Sequence, residues 1–413
     1  MKQILILAAA LACTCAMAAD APHLPPGLRI NELQVLGTHN SYSEGLDPRM
    51  AALFEERLGD SLGRLVGRMP PAARALFEEE HPNAMRPSEM LRYAYPSLAA
   101  QLDLGVRSLE LDVNPDPDGG RFLDPAGYRL LRAQGAASLL PHDVTDMDEP
   151  GFKVLHMPDI DFRSSCPTLR LCLGQVRAWS EAHPGHVPLF LLVEAKNQHM
   201  PILPDATPTV PFTPALFDAL DRELVEAMGR ERIITPDDVR GNHATLNEAV
   251  RAGNWPTLAE ARGKVLFLMI TANGPAGSAG YLEGHPSLRG RAAFLRAQPG
   301  EEHAAFLMFD NALVRGAEIR RYVGEGYLVR TRSDIETHEA KVNSHERADA
   351  AFASGAQIVS TDFEMEGNDY GTDYVVRLPG GGSARCRPHL SGAAREKGGT
   401  GAQPTSIDNS CAL

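Results

Sequence analysis

Short runs of β-branched or otherwise apolar residues, each followed by a helical pattern or a turn, recur along most of this chain and set the limits on its fold. Candidate strands fall at Leu33–Gly37, Val106–Val113, Phe152–His156, Val187–Ala195, Lys264–Ile270, Ala304–Phe309, Gly326–Arg330 and Ala356–Ser360. Helical patterns such as Thr168–His183, Pro214–Met228 and Thr337–Ser354 lie between them, several opened by a Thr or a Thr-Pro pair that suits a helix start. Strands alternating with helices predict a parallel sheet, and eight of them predict a closed α/β fold, the (β/α)8 TIM-type barrel. The runs are almost continuously hydrophobic, as strands buried on both faces must be.

Two segments fall outside the repeating unit. Residues 47–95 carry an amphipathic pattern (Leu53, Phe54, Leu58, Leu62, Leu65, Val66), a break at Pro70 and Pro71, and a further helical stretch. They predict a helical insertion after the first strand, packed on the barrel either as a roof over the active site or as a plain structural hairpin. Residues 379–413 are rich in Gly and Pro and predict an irregular tail. One catalytic barrel, residues 19–378, accounts for the rest.

The first residues read as a removable leader. Lys2 precedes an apolar run from Ile4 to Ala12, and Ala16, Met17 and Ala18 supply a small-x-small cleavage site before Ala19. A signal peptide over 1–18 predicts export, periplasmic or extracellular. A lipoprotein, anchored through Cys13 or Cys15, is the less favoured reading, because Ala10-Leu11-Ala12 lacks the usual aliphatic residue three before Cys13. No later stretch approaches the roughly 18 consecutive apolar residues of a transmembrane helix. Cleavage leaves Cys166, Cys172, Cys386 and Cys411, an even number that favours disulfides in an exported chain. Of three connectivities, proximity favours Cys166 with Cys172 and Cys386 with Cys411. A zinc site is disfavoured by the lack of short CxxC spacing. Loss of Lys2 takes the formal charge from −13 to −14, which argues against nucleic-acid binding and against bulk attraction to anionic membranes.

In a barrel of this type the reactive side chains gather at the C-terminal ends of the strands. The first candidate strand ends in Gly37-Thr38-His39-Asn40-Ser41-Tyr42, the second in Glu110-Leu111-Asp112, the third in His156 and the fourth in Glu194-Ala195-Lys196. Glu110 and Asp112 are two apart and share a face. Two carboxylates facing a barrel mouth repel unless a cation neutralises them. With Glu194 and the Asn40 carbonyl they form an oxygen-only set that favours calcium, with magnesium second. His39 and His156 each end an apolar run beside these acids. Two imidazoles beside a metal suit acid–base chemistry on a phosphate ester, one removing a proton from the attacking hydroxyl and the other giving one to the leaving oxygen.

These residues carry a resemblance. GTHNSY at Gly37–Tyr42, SLELDV at Ser108–Val113, VLHMPDID at Val154–Asp161, LLVEAK at Leu191–Lys196, YLVRTRSD at Tyr327–Asp334 and GAQIVSTDF at Gly355–Phe363 resemble the calcium-dependent phosphoinositide-specific phospholipase C family, in its secreted bacterial branch. The resemblance implies that His39 assists attack of the inositol 2-hydroxyl and that His156 protonates the leaving diacylglycerol oxygen. It implies that Asn40, Glu110, Asp112 and Glu194 bind calcium, with Glu110 also helping deprotonation. It further implies a phospholipid substrate met in transient contact with a membrane surface, and diacylglycerol and a cyclic inositol phosphate as products. Lys196 and Arg332 are expected on the inward face as phosphate-binding residues, with Arg330 set apart from them. Asp362 follows the last strand, a neighbour of the first in a closed barrel, and is expected to orient His39. Met157 and Pro158 follow His156 where animal relatives have a His-Gly-His string, so His142 stands as an alternative second histidine. Two other functions remain open at this point: a glycerophosphodiester phosphodiesterase on the same scaffold, and an inert calcium- or lipid-binding secreted protein.

Overall fold

The structure is a computed structural model that describes residues 20–388 except 84, 197–200 and 272–273. The expected signal peptide, Cys13, Cys15, Cys411 and the end of the tail lie outside the described residues.

Among the described residues ten strands form one sheet: β1 Leu33–Thr38, β2 Ser108–Asp116, β3 Gly151–Val154, β4 Leu189–Ala195, β5 Val265–Thr271, β6 Ala293–Leu295, β7 Phe306–Asn311, β8 Leu328–Arg332, β9 Ile358–Thr361 and β10 Ala384–Cys386. Eight of them run parallel in the order β6-β5-β4-β2-β1-β9-β8-β7. A parallel bridge between Arg296 and Phe306 joins the two ends, so the sheet is a nearly closed eight-stranded barrel of the TIM type. Its strands are buried on both faces and anchor the main core, with Leu109, Leu111, Leu191, Val193, Phe267 and Met269 all at 0% exposure. Thr168 and Thr213 cap the helices Leu169–Ala182 and Pro214–Met228 by accepting hydrogen bonds from the Leu171 and Leu216 amides.

Several expectations need correction. Phe152–His156 is not a barrel strand. β2 is nine residues long and runs beyond the barrel, and its overhang from Val113 to Asp116 takes β3 as an antiparallel partner. The eighth barrel strand is instead β6, whose three residues are too few to show a period. The expected helix Thr337–Ser354 is two, His338–Val342 and Glu346–Ala353, separated where Asn343 turns left-handed at φ 55°. The described part of the tail, residues 379–388, is irregular as expected except at β10. β1 meets β2 only at Gly37 and Ser108, which leaves an open edge at Leu33–Val35 that β10 fills antiparallel. A Cβ on Gly37 would stand 2.8 Å from that of Ser108, so glycine permits the one close approach of these strands.

The segment after β1 is helical: α1 Pro48–Gly67, α2 Pro71–Glu80 and α3 Pro87–Met90. α1 sends Met50, Leu53 and Phe54 into a second apolar cluster with Phe122, Tyr128, Leu155, Met157 and Phe162. That cluster grips the chain on both sides of His156. α2 has no fully buried side chain, yet its end is tied across the barrel. The Glu79 carbonyl accepts from Asn311, Glu79 pairs with Arg315, and His81 pairs with Glu336 at 2.6 Å. The insertion thus runs along the C-terminal end of the barrel from the β2–β3 side to β7 and β8. Cys166 and Cys172 form a disulfide, and Cys386 ends β10. Among the described residues no helix is long and apolar enough to cross a membrane.

Candidate active site

Register decides which side chains share the barrel interior. Glu110 lies beside Leu192 and Asp112 beside Glu194, while Arg330 lies beside Ile358 and Arg332 beside Ser360. Glu110 and Arg330 meet at 3.0 Å, which places both sets on the inward face. The separation of Arg330 from Arg332 is therefore corrected: two residues apart on one strand, they point the same way.

β1 delivers the first histidine. The chain turns sharply after Thr38, with Asn40 left-handed at φ 50°, a conformation asparagine tolerates better than most residues. Ser41 stitches this turn to β2: its hydroxyl accepts from the Glu110 amide at 2.8 Å and shares a hydrogen bond with Thr38. Gln101 donates to the Ser41 carbonyl and accepts from the Thr38 hydroxyl. His39 donates from Nδ1 to Asp362 Oδ1 at 3.0 Å, and Tyr95 and Arg332 hold the same carboxylate at 3.1 and 2.7 Å. The second histidine sits just past β3, where a tight turn pairs Met157 with Asp161. His156 donates from Nδ1 to Asp161 Oδ2 at 2.9 Å. Both imidazoles are thus held through Nδ1, leaving Nε2 to exchange protons, and both keep about a fifth of their side-chain surface exposed, at 21% and 22%. His142, the alternative, packs on Tyr128 and Phe162 in the second apolar cluster.

Between the histidines, Glu110, Asp112 and Glu194 each offer a carboxylate oxygen within 4.8 Å of the others. Asn40 donates from its amide nitrogen to Tyr93 at 2.7 Å, and its buried Oδ1 has no partner among the described residues. Among the same residues neither Asp112 oxygen has a well-aligned hydrogen bond, although Lys196 Nζ lies 3.1 Å from Oδ2. Burial pushes the Glu110 carboxyl up to about 8, against the opposing pull of Arg330. Burial likewise raises Asp112, whereas at Glu194 the burial penalty is outweighed by Lys196 and His156 and the carboxyl stays below its ordinary value. Burial and then Arg332 lower His39 to about 4 despite Asp362, so its imidazole is neutral at neutral pH. Orphaned oxygen acceptors beside crowded buried carboxylates fit a hard divalent cation, and Asn40, Glu110, Asp112 and Glu194 are the residues that would hold it.

The two expected phosphate-binding cations are already engaged. Lys196 bridges Asp112 and Glu194 at 3.1 and 3.3 Å, and Arg332 pairs with Asp362. Several residues of the site escaped the sequence reading. Asp161 lies inside the VLHMPDID string, five residues from the histidine it holds, and that spacing was the available signal. Tyr93, Tyr95 and Gln101 come from the end of the insertion and beyond, where no pattern singles them out. Asp310, which pairs with Arg330, directly follows the expected strand Ala304–Phe309, and Arg296 follows β6, a strand too short to read.

A parallel barrel whose mouth joins an oxygen-only acidic cluster to two carboxylate-held imidazoles has the equipment for metal-assisted acid–base cleavage of a phosphodiester. Residues 28–388 match the model of the family described as phosphoinositide phospholipase C, Ca2+-dependent, and the chain belongs to that family. It is thus an enzyme, a phospholipase C-type phosphodiesterase. Compared with curated proteins, the chain matches none. Among solved structures, a calcium-dependent phosphoinositol-specific phospholipase C from a Gram-negative Pseudomonas species shares its fold, with a TM-score of 0.50 and 16% identity over 89% of this chain and 100% of that one. A myoinositol complex of that enzyme gives 0.48 and 15% over 87% and 96%. A Ca2+-dependent phosphatidylinositol-specific phospholipase C from Streptomyces antibioticus gives 0.47 and 20% over 81% and 95%.

Proposed function

We propose that this enzyme cleaves phosphatidylinositol-type lipids by intramolecular transesterification. The inositol 2-hydroxyl oxygen forms a bond to phosphorus as the bond from phosphorus to the diacylglycerol oxygen breaks. The observation that carries this reading is the pair of imidazoles, each held at Nδ1 by its own carboxylate, beside one acidic cluster. His39, neutral at neutral pH, takes the 2-hydroxyl proton at Nε2, and Asp362 keeps the ring in that tautomer. His156, oriented by Asp161, gives a proton to the leaving diacylglycerol oxygen. A calcium ion held by Asn40, Glu110, Asp112 and Glu194, with magnesium the second choice, would supply positive charge against the anionic transition state. Glu110 sits close enough to the cluster to assist deprotonation, and Arg330 holds its carboxylate in place. Lys196 and Arg332 keep neighbouring carboxylates in position and border the path of the phosphate. Water can later open the cyclic phosphate, with the two histidines exchanging roles.

The enzyme meets its lipid through transient contact with a membrane surface and works outside the cytoplasm, a location the Cys166–Cys172 disulfide supports. Phosphatidylinositol vesicles, supplied with calcium or a chelator and followed by phosphorus NMR, test the reading. Cyclic inositol phosphate and diacylglycerol should form with calcium alone, and His39→Ala and His156→Ala should abolish both while calcium still binds. Release of glycerol 3-phosphate from glycerophosphoinositol would instead make it a glycerophosphodiester phosphodiesterase, and calcium binding without turnover would make it a binding protein.

A further inference from the structure

Tyr42 ends the GTHNSY string, two residues past Asn40, and takes no part in the proton transfers above. The turn at Asn40 is what places it. The Ser43 amide donates to the Asn40 carbonyl at 2.9 Å, and the Ser41 amide donates to the Glu110 carbonyl at 3.0 Å, so the chain leaves β1 against the stretch of β2 that carries Glu110 and Asp112. On the other side the Tyr42 carbonyl accepts from the Ser165 amide at 2.8 Å, in the segment that follows His156 and Asp161. The Tyr42 ring is thereby packed into the main core at 1% exposure.

Its hydroxyl does not suit that packing. The oxygen is buried and has no hydrogen-bond partner among the described residues. A buried hydroxyl without a partner costs folding free energy, and phenylalanine would fill the same space without that cost. The surrounding charges identify what the hydroxyl faces. Burial pushes the phenol well above its ordinary value, and Asp112 adds most to that among its neighbours, followed by Tyr93, Asp161 and Glu194. The hydroxyl therefore keeps its proton and stands on the acidic side of the site. Asp112 is the matching half: it is fully buried, and neither of its oxygens has a well-aligned hydrogen bond among the described residues. An orphaned donor thus lies near orphaned acceptors, Tyr42 on a turn fixed to β2 at Glu110 and Asp112 two residues further along that strand.

We propose that Tyr42 is a positioning residue of the cation site, its hydroxyl donating to the Asp112 carboxylate that would hold calcium. Lys196 holds this carboxylate in the structure, and a cation that takes it over frees it to accept the phenol. A ligand carboxylate has two oxygens, and an outer donor on one fixes the direction in which the other faces the metal. The phenol also favours the ionised form of Asp112, which burial disfavours. Tyr42 thus does for Asp112 what Tyr93 does for Asn40, where acceptance from the amide nitrogen at 2.7 Å leaves Oδ1 for the cation. This inference rests on the calcium assignment of the proposed function.

Tyr42→Phe removes one oxygen and keeps the ring. Calorimetric titration of the chelator-treated full chain should show calcium binding weakened by roughly 10- to 100-fold, the usual loss for an outer partner of a metal ligand. Tm in chelator should not fall, because the hydroxyl has no bond to lose, and the rise in Tm at a fixed calcium concentration should shrink. Turnover of phosphatidylinositol lost at the calcium concentration that half-saturates the wild type should return at about a hundredfold more calcium, with KM for the lipid unchanged. In the wild type, NMR of isotope-labelled tyrosine should show a Tyr42 signal that moves as calcium is added. An unchanged calcium affinity overturns the proposal, as does a Tm that falls equally with and without calcium, the mark of a hydroxyl that serves packing alone. A Tyr42 signal indifferent to calcium overturns it on the wild type by itself. A wild type that binds no calcium overturns it together with the calcium assignment. If Tyr42→Phe weakens calcium binding and neither protein cleaves an inositol lipid, the outer partner stands and the proposed function falls.

Discussion

Removing divalent cations should make this protein lose stability as pH rises from 6.5 to 8, and calcium should restore it. The reason lies in Glu110, whose carboxyl is raised by burial from its ordinary 4.5 to about 8. A carboxyl with a raised folded pKa binds its proton more tightly folded than unfolded. Its contribution is therefore complete below the unfolded value and is lost as pH climbs through the folded one. Each pH unit in that interval costs about 1.4 kcal/mol, so the window amounts to at most about 2 kcal/mol. Starting at 6.5 avoids His39, whose folded pKa is lowered to about 4 and whose opposite effect is finished by the unfolded value. For roughly 370 ordered residues the unfolding entropy is about 0.8 kcal/mol per kelvin, so the loss is about 2 to 3 °C in Tm. Scanning calorimetry in saturating calcium and in chelator gives the readout. The gap between the two should widen by that amount from pH 6.5 to 8, because the cation binds the ionised cluster. Asp334 and Glu364 are also raised by burial, to about 7 and 8, but they titrate in both samples and cancel in the difference. Glu110→Gln should reduce the slope in chelator to the one seen in calcium, which Asp334 and Glu364 set. A gap that is constant or narrows with pH would refute the reasoning.

Asp362→Asn and Asp161→Asn should each lower kcat by roughly 10²- to 10⁴-fold with little change in KM, because each leaves an imidazole in the wrong tautomer; steady-state kinetics on phosphatidylinositol measures both. Lys196→Met removes an ammonium beside Asp112 and Glu194, worth about 2 kcal/mol of repulsion toward a divalent ion at about 4 Å in water-like dielectric. Calcium affinity by calorimetry should therefore tighten by roughly 30-fold. Gly37→Ala forces a Cβ to within 2.8 Å of Ser108 and should cost about 1–3 kcal/mol in denaturant unfolding, while Gly27→Ala, with open space around it, should cost less than about 1 kcal/mol.

The barrel was legible because a buried parallel strand needs an unbroken apolar run, and seven of the eight expected runs are barrel strands. The two exceptions have different causes. β3 is as apolar as a barrel strand but pairs antiparallel with an overhang of β2, and periodicity carries no record of a partner's direction. β6 has only three residues between loops, too few to show a pattern. At the site, Glu110, Asp112, Glu194, Asn40 and His39 could be read off strand ends, and the structure brings them together. His156 joins them by another route, since the antiparallel return of β3 leads the chain back to the mouth. What stayed hidden were long-range partners. Tyr93 reaches Asn40 from 53 residues away, and Tyr95 holds Asp362 from 267. Such contacts follow from barrel closure and leave no local trace.

Charge balance ties the cluster to its substrate. Arg332 neutralises Asp362, and in the proposed mechanism a protonated His156 neutralises Asp161. At the acidic cluster itself that leaves Glu110, Asp112 and Glu194 facing Arg330 and Lys196, an excess of one negative charge in a buried space. Such an excess is costly, and the Glu110 and Asp112 carboxyls are raised by burial first and by the neighbouring carboxylates second. A divalent ion turns the excess into a single positive charge. A phosphodiester carries one negative charge and brings the filled site to neutrality, whereas a phosphomonoester dianion restores the imbalance. In the proposed mechanism the same carboxylates that call for a cation would therefore select a diester over a monoester, before either histidine moves a proton.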